Sequence, residues 1–191
     1  MGERILKFHP GGYYHVFNRG ANRQEIFRSM ENYLYLIDIA RRFAEKGIQI
    51  IVYCLMPNHY HFLLRQENNY SISRFIQEVF NIYSKTFNRM YHRKGTLFEG
   101  PFRAKEVLEE KHLLHLCRYI HRNPLESGFV TDLKDWPYSN YIEWINGKLP
   151  RTLEVRGSFN DPEEYRKFVF EYDPIKEKEK GLQNLLLDAV R

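Results

Sequence analysis

Two apolar runs, Ile48 to Leu55 and His59 to Arg65, are separated by little more than a Pro57-Asn58 break. The first is rich in β-branched residues, so both read as strands, the first of them buried. So short a connection joins strands only as an antiparallel hairpin. The rest of the chain has to be built around that hairpin. Upstream, Tyr13, His15 and Phe17 alternate with Tyr14, Val16 and Asn18, the period of a strand, and Asn18-Arg19-Gly20-Ala21-Asn22 turns the chain. Ser29 caps a helix over Glu31 to Glu45, with apolar residues at Leu34, Ile37, Ala40 and Ala44, and Gly47 stops it. After the hairpin, Ser71 opens a second helix that carries Ile72, Phe75, Ile76, Val79, Ile82, Tyr83 and Phe87 at helical spacing and runs to about Tyr91. Thr96 to Phe98 and Phe102 to Leu108 read as a hairpin with a fourth strand. A third helix covers Glu109 to Asn123 and is expected to end at Pro124, because the residue before proline avoids the α region.

The order β-α-β-β-α-β, followed by α, predicts an α+β fold of ferredoxin-like plan: an antiparallel sheet with helices on one face, a further helix and a C-terminal extension. With 191 residues, of which 43% are hydrophobic, the chain suits one domain with a sizeable core. We place that domain at 1–130 and an accessory segment at 131–191, where a Trp136-Pro137-Tyr138-Ser139 loop precedes short helices at Tyr141 to Ile145 and Pro162 to Tyr172 and a charged tail from Ile175. No apolar run approaches the roughly 18 residues of a membrane span, and the N-terminus has no apolar signal region. Cys54 and Cys117 lie far apart in apolar company and read as reduced core residues of a cytoplasmic protein. A net charge of +5, with 14 Tyr and 14 Phe, suits a nucleic-acid partner, since cations meet phosphate and rings stack on bases.

On a strand, His59 and His61 share a face while Tyr60 and Phe62 take the other. A bare pair of this kind is satisfied by water or hydrogen bonds. Here Met56, Phe62, Leu63 and Leu64 make the strand apolar, and two imidazoles on a buried face need partners, which a cation supplies. On the third helix Tyr119 and Asn123 stand at i and i+4 and project together. Spacing alone leaves them as a boundary tyrosine and a helix-terminal polar residue, or as a phenol beside an amide oxygen able to complete a metal site. Tyr83 shares the apolar stripe of its helix and reads as core, whereas Tyr91, among Arg89, His92, Arg93 and Lys94, reads as a base-stacking ring. Lys85, Arg89, Arg93, Lys94, Arg103 and Lys105 oppose Glu99 alone, and Arg19, Arg23 and Arg28 form a second basic set. Either set is a solvated face or a holder of phosphates.

Met56-Pro57-Asn58-His59-Tyr60-His61-Phe62-Leu63-Leu64, with Tyr14 to Gly20, Gly95 to Arg103, Arg118 to Pro124 and Trp136 to Tyr141, resembles the single-tyrosine HUH transposases of the IS200-like group, above all the REP-associated tyrosine transposases. The likeness extends over about residues 12–145. It implies that His59 and His61 are metal ligands, Tyr119 the nucleophile and Asn123 a third ligand, at a place where many relatives carry the longer Gln. It gives no role to His121, which lies about 200° around the helix from Tyr119. It further implies a single-stranded DNA substrate with a hairpin, such as a repetitive extragenic palindrome, a 5′-phosphotyrosine intermediate and a free 3′-OH. Imidazole and oxygen ligands suit Mg²⁺ or Mn²⁺. Relatives include monomers and dimers with shared sites, so a homodimer stays open. The expected activity is metal-dependent endonuclease and strand transfer. The rival readings are a non-catalytic nucleic-acid-binding module on the same plan and an RNA binder that stacks bases on its sheet.

Overall fold

The structure is a computed structural model, and it describes residues 6–147, 159 and 161–171. The chain divides into two compact units, one formed by Met1–Ile51 with Leu55–Glu106 and the other by Val52–Cys54 with Val107–Arg191.

The first unit holds β1 (Tyr13–Arg19), a 3-10 turn at Ala21–Arg23, α1 (Met30–Ala44), the ends of β2 (Ile48–Met56), β3 (His59–Gln66), α2 (Ile72–Met90) and most of β4 (Arg103–Val107). The four strands lie in the order β2-β3-β1-β4, the antiparallel arrangement expected of the α+β, ferredoxin-like plan. β1 pairs antiparallel with β3 so that Phe17 faces His61 and Arg19 faces His59. That register places Tyr60, Phe62 and Leu64 on one face with Tyr14 and Val16, and His59, His61 and Leu63 on the other with His15 and Phe17. α2 packs on the Tyr60 face, where the Phe80 ring stacks on Tyr60 at 4.2 Å between centroids. α1 lies against α2.

Two local expectations in this unit need correction. The buried side of α1 is Tyr33, Leu36, Ile39 and Ala40, while Leu34 is 52% exposed. The stripe is rotated because the Tyr33 ring stacks on Phe27 at 4.4 Å, an aromatic contact that a count of aliphatic residues overlooks. Thr96 to Phe98 does not form a strand; it contributes one isolated bridge between Phe98 and Gly20. α2 starts at its N-cap Ser71, whose hydroxyl accepts from the Arg74 N–H at 3.2 Å.

The second unit carries α3 (Glu110–Glu126), a 3-10 turn at Leu133–Asp135, α4 (Tyr141–Ile145) and α5 (Pro162–Phe170). α3 does not stop before Pro124; the proline sits inside its last turns. A proline this close to the end removes one hydrogen bond, and the following turn closes with Phe129 N–H donating to the Pro124 carbonyl at 2.9 Å and Gly128 at φ +71. Within this unit the middle of β2 is bordered by the 139–140 loop: Cys54 bridges to Ser139, and the Tyr53 N–H donates to Asn140 Oδ1 at 2.9 Å. Cys54 and Cys117 are buried free thiols, and burial pushes both up from the ordinary thiol range. The tail from Ile175 and the end of the expected 162–172 helix lie outside the described residues. Among the described residues no helix is long and apolar enough to cross a membrane.

Candidate functional site

His59 and His61 are both buried, with ring centroids 5.1 Å apart and planes nearly perpendicular. Each ring has its Nδ1 held by another side chain. His59 Nδ1 lies 2.7 Å from Asn58 Oδ1, an oxygen that can only accept, so the proton is on Nδ1 and Nε2 carries the lone pair. His61 Nδ1 lies 3.0 Å from Nε2 of His15, a fully buried third imidazole from β1. The matching tautomer has His61 donating from Nδ1 to His15. Burial, then the neighbouring His59 and His15 rings, hold His61 well below the ordinary imidazole range, so the ring is neutral.

The residues present fit a divalent ion. Metal-bound histidines commonly donate their second N–H to a fixed partner, which selects the tautomer. Two imidazoles that share an ion at about 2.1 Å stand roughly 5 Å apart centre to centre, close to the spacing found. His15 adds no third ligand, because its Nε2 is turned to His61. Among the described residues no group of three or more His, Cys, Asp or Glu is arranged to hold a metal. A third protein ligand would therefore come from another residue type.

The loop beside His59 is tightly determined. Gly20 N–H donates to the Asn58 carbonyl at 2.8 Å, and a Cβ on Gly20 would fall 2.1 Å from the Gln24 carbonyl oxygen. Only glycine fits that approach. Arg19, paired across the sheet with His59, forms an ion pair with Glu99. Arg19 first, then Arg103 and Arg23, hold the Glu99 carboxyl below its ordinary range, which places three of the expected phosphate contacts around one acidic side chain. Lys85 and Arg89 lie exposed on α2, and Lys94 is exposed beyond its end. Arg93 is half-buried and braces the fold: it donates to Gln24 Oε1 at 2.7 Å and to Asn88 Oδ1 at 3.2 Å. Tyr91 donates to Asn32 Oδ1 at 2.8 Å, and the Arg28 guanidinium lies 5.0 Å from the centre of its ring. Tyr83 is buried and donates to the Ile26 carbonyl, in keeping with a core role.

In the second unit Tyr119 is half-buried and Asn123 buried, both on α3. The Asn123 amide nitrogen donates to the Tyr119 carbonyl at 2.9 Å. That contact assigns the amide: nitrogen faces the helix backbone, and the oxygen, the atom a metal would take, is the other one. The histidines belong to the first unit and the tyrosine–asparagine pair to the second.

Sequence reasoning missed two buried histidines. His15 looked like one more residue of an alternating strand. His121 is fully buried, with Nδ1 2.6 Å from Tyr165 Oη and Nε2 3.0 Å from Asn140 Oδ1. Burial holds it down to about 4, although the Asn140 bond opposes that shift.

The chain is similar to known proteins in sequence and in fold. A Haemophilus influenzae (strain ATCC 51907 / DSM 11121 / KW20 / Rd) protein named as a REP-associated tyrosine transposase is 27% identical over 113 residues, which is 53% of this chain and 63% of that protein. This chain thus spans less than two thirds of the relative's length. The solved structure of a REP-associated tyrosine transposase bound to a REP hairpin superposes with a TM-score of 0.63 at 18% identity, over 78% of this chain and 88% of that one, and shares the fold. The family model for IS200-like transposases matches residues 9–123, from the segment before β1 to the asparagine of α3. The chain belongs to the IS200-like transposase family.

Proposed function

We propose that the protein is a metal-dependent endonuclease and strand transferase acting on single-stranded DNA that carries a hairpin. The observation that supports this best is the imidazole pair: two buried rings from one strand face stand 5.1 Å apart, each with its Nδ1 within hydrogen-bond distance of another side chain. His59, His61 and the Asn123 amide oxygen would hold Mg²⁺ or Mn²⁺. A divalent ion there offsets the charge of the nonbridging phosphate oxygens and orients the phosphate.

Every other part of the reaction falls to the chain's own residues. His15 and Asn58 fix the two ligand rings. Arg19, Arg23 and Arg103 contact backbone phosphates, with Lys85, Arg89, Arg93 and Lys94 as a second set along α2 and its end. The Tyr119 hydroxyl attacks phosphorus and loses its proton to solvent. A phenol titrates near 10, so that loss accompanies the attack. The bond from phosphorus to the 3′ oxygen breaks, and the 3′ oxygen takes up a proton. The product is a 5′-phosphotyrosine and a free 3′-OH. The ester keeps the bond energy, so a 3′-OH can reverse the step and rejoin strands. The likeness to a transposase solved with a REP hairpin supports a palindromic hairpin as the substrate. The basic, reduced-thiol chain suits the cytoplasm. We place the catalytic portion at 1–130, with 131–191 accessory to it.

The test is cleavage of a labelled single strand bearing a palindromic hairpin. Nicking is expected with Mn²⁺ or Mg²⁺ and is abolished by EDTA. Binding without cleavage under every divalent condition would favour the non-catalytic binding module.

A further inference from the structure

α3 is held by a buried polar network whose direction can be assigned atom by atom. Asn140 Oδ1 accepts from the Tyr53 backbone N–H at 2.9 Å, so it is the oxygen of that amide. It therefore accepts again from His121 Nε2–H at 3.0 Å. His121 Nδ1 is then the acceptor for the Tyr165 hydroxyl at 2.6 Å. The chain of bonds runs Tyr165 to His121 to Asn140, where it meets Tyr53. The rings of Trp144 and Tyr141 meet the imidazole edge-on at 5.3 Å and 5.5 Å, which closes the pocket around it. Beside it, Arg118 and Arg122 donate to the Phe168 and Val169 carbonyls at 3.3 Å and 2.9 Å, at the C-terminal end of α5.

His121 stands between Tyr119 and Asn123 on the same helix. Tyr53 stands on the strand that leads, through Met56 and the Pro57-Asn58 turn, into His59. A phenol oxygen roughly 8 Å from a helix axis moves about 1.4 Å for each 10° of rotation. A misplacement of about 1 Å at a reacting atom costs about a hundredfold in rate.

We propose that His121 is a positioning residue for Tyr119, and that its bond to Asn140 sets the rotation of α3 against the Val52–Cys54 stretch of β2 while the Tyr165 bond only stabilises the helix. This rests on the reading of Tyr119 as nucleophile. The two arms are separable. Gln at 121 keeps an N–H where Nε2 is and preserves the Asn140 arm. Asn at 121 keeps an oxygen where Nδ1 is and preserves the Tyr165 arm.

The test uses the full chain, Mn²⁺ and a labelled single-stranded oligonucleotide with a palindromic hairpin. His121→Asn is expected to lower kcat at least tenfold with KM within twofold of wild type. His121→Gln recovers to within threefold. Amide exchange across 119–123 quickens in His121→Asn and stays native in His121→Gln. Asn140→Ala removes the same oxygen without touching α3, and should reproduce the kcat loss if His121→Asn fails to fold. Rate losses that track the fall in Tm equally in both His121 variants would overturn the proposal, as would native exchange or native kcat in His121→Asn. Tyr119→Phe runs beside them. If it cleaves like wild type, the nucleophile reading falls, and the exchange comparison still decides whether the Asn140 arm holds α3. If it is inactive while His121→Asn is fully active, the positioning proposal alone falls.

Discussion

Nε2 of His15 lies 3.0 Å from Nδ1 of His61, within a β1–β3 register that pairs His15 with Leu63 and His61 with Phe17. The two rings therefore meet on the diagonal of an antiparallel ladder, within reach for side chains of this size. The contact ties the orientation of His61, a proposed metal ligand, to a side chain on the neighbouring strand.

His15→Phe keeps the packing against Phe17 and removes the acceptor. Mn²⁺ affinity, measured by titration calorimetry, is expected to weaken by about 10- to 100-fold. Binding of hairpin DNA without metal should be unchanged. Native metal affinity in His15→Phe would show that His61 needs no such partner.

Replacing both proposed ligands, His59→Ala with His61→Ala, should end divalent-dependent nicking while the protein still retards hairpin DNA in a gel. Mn²⁺-stimulated nicking by the double mutant would place the metal elsewhere.

Arg19, Arg103 and Arg23 lower the Glu99 carboxyl, and under the proposed DNA contacts that carboxylate would compete with phosphate for them. Glu99→Gln is expected to tighten hairpin binding at low salt. Arg19→Ala and Arg103→Ala should each weaken binding and lower the salt slope by about 1. A slope unmoved by either substitution would mean that neither arginine meets a phosphate.

Hydrogen bonds from Lys46, Tyr70 and Arg74 hold the Glu78 carboxyl down to about 2. The folded state thus keeps the carboxylate below the pH at which the unfolded chain takes up a proton. Its stabilising contribution is full above about pH 4.5 and is lost as pH falls towards the folded value. Denaturant melts of wild type and Glu78→Gln should differ at pH 7 and converge in that acid window. A constant difference across it would contradict the linkage.

Much of the sheet unit is legible in residue periodicity, because strands of period two and helices of period 3.6 leave separate signatures. The Pro57-Asn58 break and the Ser71 cap mark real boundaries. The face of α1 was harder to read, since Tyr33 packs by ring stacking rather than by aliphatic pattern. Pro124 shows that a proline close to a helix end is absorbed when the next turn closes behind it. His15 is invisible without the strand register, because its partner is 46 residues away. His121 depends on Asn140 and Tyr165, and through Asn140 on Tyr53, segments that only the folded second unit brings together. The Arg19–Glu99 pair is likewise a product of the Gly20 loop, not of spacing.

The central claim is that Tyr119 becomes covalently joined to DNA. The protein would be incubated with Mn²⁺ and labelled hairpin-bearing single strands, denatured and digested, and the adduct mapped by mass spectrometry. The account predicts a nucleotide phosphate on the peptide that contains Tyr119, and none from Tyr119→Phe. Strand cleavage with the adduct on another tyrosine, or with no adduct at all, would contradict it.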